Sequence, residues 1–185
     1  MEYIPHGWVI WLTGVPAAGK TTLAQALRQL LRERGVDAVV LDSDVLRRLL
    51  TPHPTYSDAE RDALYAQLVE LAVWHARAGE NVIIAATGHR RRYRDAARAR
   101  LPRFAEVWVR CPADVCRGRD PKKLYKAVAS GAIRGLPGVD LPYEPPTAPE
   151  LVVDTDRQTP DESAVLVAAR LPFLQPAPEQ REVCR

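Results

Sequence analysis

The chain has 185 residues, 46% of them hydrophobic and 26% charged, and its 26 Lys plus Arg against 23 Asp plus Glu leave a formal net charge of +3. That length suits one domain with a sizeable core, and the ordinary composition argues against a disordered or fibrous chain. The small positive balance suits an anionic small substrate and does not call for nucleic acid; no apolar run reaches membrane-spanning length, and the start of the chain does not read as a signal peptide.

Trp8 to Leu12 (Trp-Val-Ile-Trp-Leu) reads as a first strand, apolar and β-rich. Gly14-Val15-Pro16-Ala17-Ala18-Gly19-Lys20-Thr21 follows and fits G-x-x-x-x-G-K-[ST], the phosphate-binding loop. Leu23, Leu27, Leu30 and Leu31 then recur at helical spacing, which places Thr21 in the first turn of a helix. Strand, loop and helix in this order aim backbone N–H groups and a helix dipole at phosphate oxygens. Gly14, Ala17, Ala18, Gly19, Lys20, Thr21 and Thr22 are the candidate nucleotide-binding residues, with Lys20 on the β- and γ-phosphates of ATP and the Thr21 hydroxyl on Mg²⁺. Pro16 has no N–H, so the donors come mainly from the later part of the loop.

The first helix should end near Arg34-Gly35, and Val36 to Leu41 reads as a buried strand. Asp42-Ser43-Asp44 stands at its carboxyl end, where ligands of open α/β sheets gather, with Arg47 one helical turn on. Ser43 or Asp44 could cap the following helix. Two carboxylates beside a phosphate loop also suit one organiser of Mg²⁺ and one acceptor of a hydroxyl proton, and the residues leave open which is which.

Thr51 to Pro54 should break the helix, and Ser57 should head a long one, with Leu64, Leu68 and Leu71 inward, running to Ala78-Gly79. His53 and His75 read as ordinary loop and helix histidines. Asn81 to Ala86 forms a third strand that delivers Thr87-Gly88-His89 to the same crevice. Arg90, Arg91, Arg92, Arg94, Arg98, Arg100 and Arg103 read mostly as a solvated helix face, with one or two near enough to touch an anion. No aromatic platform is interleaved with them, which speaks against nucleic acid.

Glu106 to Arg110 alternates as a fourth strand, followed by Cys111-Pro112 and a short helix to Cys116. The basic run Arg117, Arg119, Lys122, Lys123 and Lys126 suits either a mobile flap closing over phosphates or an exposed charged helix. Residues 135–149 read as an ordered Gly/Pro loop, Glu150 to Asp154 as a fifth strand, Asp161 to Leu171 as a last helix, and 172–185 as a flexible tail. Cys111, Cys116 and Cys184 have no metal-type spacing, and a cytoplasmic, reducing setting is the simplest for them. The pattern is an α/β P-loop nucleotide-binding fold, a five-stranded and mainly parallel sheet flanked by helices, with residues 1–171 as one domain.

Several spaced motifs carry a resemblance to adenylylsulfate (APS) kinases from about Trp8 to Thr155. Cys116-Arg117-Gly118-Arg119-Asp120-Pro121-Lys122-Lys123-Leu124-Tyr125, Gly138 to Glu144 (Gly-Val-Asp-Leu-Pro-Tyr-Glu) and Pro149 to Thr155 are its strongest segments. Asp42-Ser43-Asp44-Val45-Leu46-Arg47 is similar to that family's Asp-Gly-Asp-x-x-Arg, and Tyr56-Ser57 with Glu60-Arg61 to its Phe-Ser-x-x-Asp-Arg. The resemblance implies transfer of the ATP γ-phosphate to the 3′-hydroxyl of adenosine 5′-phosphosulfate, with Mg²⁺, in the cytoplasm, by a homodimer. It implies that Arg47 and Arg61 bind the acceptor's anionic part, that Tyr56 stacks on its adenine, and that Asp42 and Asp44 serve Mg²⁺ and the hydroxyl. It further implies that Arg119 and Lys122 act from a lid spanning about 117–135.

The departures lie on the acceptor side. The family's Asn-Ile-Arg-Arg aligns with Leu64-Tyr65-Ala66-Gln67, its Ile-Ser-Pro with Thr87-Gly88-His89, and its Phe-Thr-Gly with Leu136-Pro137-Gly138, so Leu136 stands where an aromatic would wall the adenine. A kinase of this fold for a different nucleotide or a small alcohol is the alternative. A nucleotide-binding switch is a third reading, which the lid-like segment and the acceptor-side acids disfavour.

Overall fold

The computed structural model describes residues 6–51 and 53–174. Its centre is a five-stranded sheet in the order β2-β3-β1-β4-β5, parallel throughout: β1 (Val9–Thr13), β2 (Val39–Asp42), β3 (Val82–Ala85), β4 (Phe104–Arg110) and β5 (Leu151–Asp154). The helices are α1 (Lys20–Glu33), α2 (Ser43–Leu50), α3 (Asp58–Arg77), α4 (Arg91–Arg98), α5 (Ala113–Arg119), α6 (Leu124–Ala129) and α7 (Pro160–Arg170).

β1 is apolar without alternation because both of its faces are covered. Successive side chains point to opposite faces, so Ile10 and Leu12 pack in the cluster shared with α1 and α7, while Val9 and Trp11 pack in the cluster shared with α3 and α4. The register Ile10↔Ile83 and Trp11↔Ile84 carries the same division into β3. From β1 the chain goes first to β2 and β3 on one side, then to β4 and β5 on the other. The strand order therefore reverses at β1, the place where such sheets open a crevice at their carboxyl ends.

The second strand is shorter than the apolar run. After Gly35, at φ +75°, the Val36 N–H is spent on the Leu31 carbonyl at 2.9 Å to close α1, so pairing begins only at Val39. Ser57 caps α3 as expected, its hydroxyl accepting the Glu60 N–H. β4 alternates only over its second half, where Val107 and Val109 are buried, Trp108 half-buried and Arg110 exposed; Phe104 to Val107 are all buried, Glu106 among them, because Arg94 is buried opposite it and pairs with its carboxylate.

The arginine-rich segment is mostly what its composition suggests. Arg90 pairs with Asp58, Arg92 with Asp62, Arg98 with Glu150 and Arg100 with Glu70, all at the surface. Arg94 is the exception at 1% exposed. Pro172 to Leu174 departs from the expected tail: it forms a 3-10 turn, and Phe173 stacks on Trp8 with ring centroids 5.9 Å apart. The rest of that tail, Cys184 included, lies outside the described residues, as does Pro52. No described helix is long and apolar enough to cross a membrane.

Candidate active site

The phosphate loop runs from the end of β1 into α1. Gly19 sits at φ +99° and N-caps α1 with no side chain of its own, which leaves the first-turn N–H groups open at the loop. Ala17 also adopts a left-handed conformation, at φ +63°. Lys20 Nζ donates to the Gly14 and Val15 carbonyls, both at 2.9 Å, so its charge is held inside the loop's curve. Burial pushes its pKa down to about 8, against the pull of Asp44. Thr22 lies exposed on the first turn of α1.

Thr21 Oγ1 donates to Asp42 Oδ2 at 2.6 Å. The other Asp42 oxygen accepts the N–H groups of Asp44, at 2.8 Å, and Val45, at 3.3 Å. The cap of α2 is therefore Asp42 itself, neither Ser43 nor Asp44 as the sequence suggested: the β2 register places Asp42 last in the strand, with its carboxylate over the helix N-terminus. Capping and a place beside the phosphate loop fall to one carboxylate. Asp44 points outward, and its carboxylate pairs with Lys122.

Thr21 and Asp42 offer hard oxygen atoms beside a phosphate loop, the donor type that Mg²⁺ selects. No cluster of three or more His, Cys, Asp or Glu residues suited to a metal occurs among the described residues. A Mg²⁺ carried largely by waters and substrate phosphates needs only one or two protein oxygens, so the pair fits.

On the acceptor side the structure brings Arg47, Tyr56 and Arg61 together. Tyr56 is 50% exposed and adopts φ +56°. The Arg47 guanidinium lies 4.9 Å from its ring centroid and that of Arg61 5.7 Å. Arg47 also pairs with Glu60 at 2.8 Å, and Glu60 in turn accepts the Thr55 N–H and hydroxyl, which shapes the turn that presents Tyr56. Arg61 is buried, donating to the Tyr56 carbonyl at 2.9 Å and to the Gly135 carbonyl at 2.8 Å; burial, with Arg47 nearby, lowers its pKa.

Leu136 does not stand as an open wall. It is 7% exposed and packs in the cluster that contains Ala18 and Tyr125. Asp140 draws it there by accepting the N–H groups of Gly135 and Leu136, and the Gly138 N–H donates to the Leu141 carbonyl at 2.8 Å. This loop lines an open cleft of about 490 Å³ between Val15 and Tyr143. Leu64, aligned with the missing Asn, is fully buried and presents nothing polar to a ligand. Arg90 and Arg91 are engaged by Asp58 and Glu144 and are not part of the cluster around Tyr56.

The basic stretch of 117–126 is docked rather than free. Asp120 ends α5 and accepts the N–H groups of Tyr125 and Lys126, starting α6. Tyr125 is buried and donates its hydroxyl to the Pro16 carbonyl at 2.9 Å, pinning α6 to the phosphate loop. Arg119 donates to the hydroxyl and carbonyl oxygens of Thr155, whose own hydroxyl donates to the Ala18 carbonyl at 2.8 Å. Sequence reasoning missed Thr155 and Tyr125 as links between the basic stretch and the phosphate loop; each is quoted in a motif, but only the fold puts it against residues 16–18. Thr13 and Tyr143 form another such link. The Thr13 hydroxyl donates to the Thr87 carbonyl at 2.7 Å, so the Tyr143 hydroxyl, 3.1 Å away, is the donor between the two.

The arrangement can bind a nucleoside triphosphate on the loop and an anionic acceptor against Arg47, Tyr56 and Arg61. Known proteins resemble the chain over most of its length. The family model described as adenylylsulphate kinase matches residues 6–154. A Pyrococcus abyssi protein named "Probable adenylyl-sulfate kinase" is 43% identical over 162 residues, 88% of this chain and 93% of that one. The adenylyl-sulfate kinase of Rippkaea orientalis is 41% identical over 166 residues, 90% and 92% of the two chains. The Mycobacterium tuberculosis APS kinase CysC, solved with AMPPNP and APS, superposes with a TM-score of 0.84 at 33% identity, over 90% of this chain and 98% of that one.

Proposed function

The chain belongs to the adenylylsulfate kinase family, and from that premise we propose a division of labour among its residues for the transfer of the ATP γ-phosphoryl group to the 3′-hydroxyl of adenosine 5′-phosphosulfate. The reaction yields 3′-phosphoadenosine 5′-phosphosulfate and ADP. The observation that carries the reading is the meeting, at one end of the sheet, of a phosphate loop joined through Thr21 to Asp42 with an Arg47–Tyr56–Arg61 cluster that begins one helical turn later.

Gly14 and Ala17 to Thr22 form the seat of the ATP phosphates. Lys20 leaves the carbonyls of Gly14 and Val15 for the β- and γ-phosphates, where its charge offsets what develops on the leaving ADP. Thr21 and Asp42 would hold Mg²⁺, which when bound neutralises phosphate charge. Asp42 is committed to Thr21 and to two backbone N–H groups, so the proton of the attacking hydroxyl falls to Asp44. The acceptor oxygen forms its bond to the γ-phosphorus as the bond to the ADP oxygen breaks, and Asp44 keeps the proton. Lys122, now paired with Asp44, must move to the phosphates for that to happen, which couples lid position to an available base.

Arg47 and Arg61 hold the phosphosulfate end of the acceptor, and Tyr56 offers one face to its adenine. Residues 117–135 serve as the lid over both nucleotides. A cytoplasmic setting and a homodimer belong to the same reading; the free thiols of Cys111 and Cys116 favour a reducing compartment, and sedimentation tests the assembly. The deciding experiment offers ATP and Mg²⁺ with a panel of acceptors: adenosine 5′-phosphosulfate, AMP, other nucleoside 5′-phosphates and small alcohols. Transfer to the phosphosulfate at the highest kcat/KM is expected. Efficient transfer to another acceptor without it would replace this reading by a kinase of the same fold with a changed acceptor.

A further inference from the structure

One buried polar group is not used by the reaction just described. His89 follows β3 in the turn that carries Thr87 and Gly88, at the carboxyl end of the sheet. Its backbone is fastened from three sides. The Gly88 N–H donates to Tyr65 Oη at 2.9 Å, Arg94 donates to the Gly88 carbonyl, and the Glu144 N–H donates to the His89 carbonyl at 2.8 Å. Only glycine fits before it: Gly88 has φ +52°, and a Cβ would come within 3.0 Å of the Trp11 ring and 3.2 Å of the Arg94 side chain. The imidazole lies tilted against Tyr65 and Tyr93, with ring centroids 6.2 and 5.5 Å away. His89 is 1% exposed, and neither Nδ1 nor Nε2 has a hydrogen-bond partner. Buried polar groups in native proteins are bonded with few exceptions, so two free nitrogens on one firmly held ring need a reason.

The state of the ring narrows what it can meet. Burial, with the Arg61 charge beside it, pushes the His89 pKa down to about 4, so the imidazole is neutral near pH 7. A neutral imidazole has one N–H donor and one bare acceptor nitrogen. It matches a partner that itself carries a donor and an acceptor, such as a base edge or a ribose hydroxyl, better than it matches an anion. Arg61, the charge acting most strongly on the ring, is one of the two arginines packed on Tyr56. We propose that His89 is a specificity-determining residue for the acceptor nucleotide, exchanging hydrogen bonds through its ring nitrogens with the acceptor's base edge or ribose hydroxyl in the crevice at the carboxyl end of the sheet. Reaching the ring takes a side-chain movement, since it is only 1% exposed. The inference rests on the acceptor being adenosine 5′-phosphosulfate.

The test compares the native protein with His89→Phe, which keeps a planar ring among Tyr65 and Tyr93 but removes both nitrogens, and with His89→Asn, which returns a donor and an acceptor. His89→Phe should raise the KM for adenosine 5′-phosphosulfate about tenfold while kcat and the KM for ATP stay within about twofold, and His89→Asn should recover part of the loss. Two analogues separate the contacts: purine riboside 5′-phosphosulfate lacks the base amino group, and the 2′-deoxy acceptor lacks a hydroxyl. The native protein should discriminate against one of them about tenfold, and His89→Phe should not. An unchanged acceptor KM and unchanged discrimination in a folded His89→Phe would overturn the inference, and the ring would be packing alone. If neither variant folds, ¹⁵N-histidine labelling decides, since the chain has only 4 histidines. Movement of the His89 ring signals on adding the acceptor supports the contact, and still signals overturn it. A native protein that transfers phosphate to some other acceptor and not to adenosine 5′-phosphosulfate removes the proposed function and this inference with it. Native transfer with His89→Phe indistinguishable removes the inference alone.

Discussion

Thr21 Oγ1 and Asp42 Oδ2 lie 2.6 Å apart in a hydrogen bond that joins the first turn of α1 to the last residue of β2. Because Asp42 also caps α2, its two duties can be separated by substitution. Asp42→Asn keeps a good capping residue, so stability should change by no more than a few tenths of a kcal/mol, while Asp42→Ala should cost about 1 kcal/mol. Turnover should fall about 100-fold or more in both, because the carboxylate beside Thr21 is lost in each. Denaturant titration with steady-state kinetics checks this; an active Asp42→Asn would leave the residue with capping alone.

Lys20 provides a proton readout of phosphate binding. Its pKa in the empty protein is about 8, down from 10.5, so between those values the unfolded chain binds a proton that the folded one does not. Stability from this group therefore rises with pH through that window, and the cost of burying the charge is fully present below it. ADP phosphates should draw the proton back. Calorimetry near pH 8.5 in two buffers of different ionisation heat should show proton uptake on ADP binding, and Lys20→Met should abolish both the uptake and the phosphoryl transfer. Equal heats for the native protein in the two buffers would show that Lys20 is already charged before binding.

The proposed lid makes a third prediction. Arg119 reaches Thr155, which reaches Ala18 of the phosphate loop, while Lys122 reaches Asp44. Arg119→Ala should speed hydrogen exchange and proteolysis over 113–135 and lower turnover, and nucleotide should protect that segment in the native protein. Pairs this exposed contribute little to global stability, about 0–1 kcal/mol, so Tm should hardly move. If nucleotide alters neither exchange nor cleavage there, α5 and α6 are fixed structure.

Leu136→Phe sets two effects against each other. The residue packs beside Ala18 and Tyr125, so a larger ring should cost about 1–3 kcal/mol of stability by overpacking. If the 135–141 loop lifts when the acceptor enters, the added aromatic face should contribute about 1–3 kcal/mol of stacking on adenine. The expected outcome is a lower Tm together with a lower KM for adenosine 5′-phosphosulfate. A lower Tm with unchanged KM would place residue 136 in the core throughout the reaction.

Local sequence was enough for the mainly parallel architecture, the phosphate loop, the Ser57 cap and the placing of Asp42 and Asp44 at the end of β2 with Arg47 one helical turn on. These rest on contiguous patterns: an apolar run covered on both faces, a loop motif between strand and helix, a helical turn of four residues. Tertiary structure decided the rest, because it depends on residues distant in the chain meeting at one place. Nothing local shows that Asp42 rather than Ser43 or Asp44 would cap α2, since that follows from where pairing with β3 ends. Arg94 looked like six other arginines until Glu106 of β4, the Gly88 carbonyl and the Glu144 carbonyl converged on it. Leu136 looked like half of a binding wall until Asp140 folded its loop onto Ala18 and Tyr125. The sequence delivers His89 to the crevice after β3, but only the packing of α3 and α4 around it, from Tyr65 and Tyr93, buries its ring with both nitrogens free. A sequence motif records which groups are available; burial and the pairing of distant polar atoms, which set their charge and their partners, exist only once the sheet has brought them together.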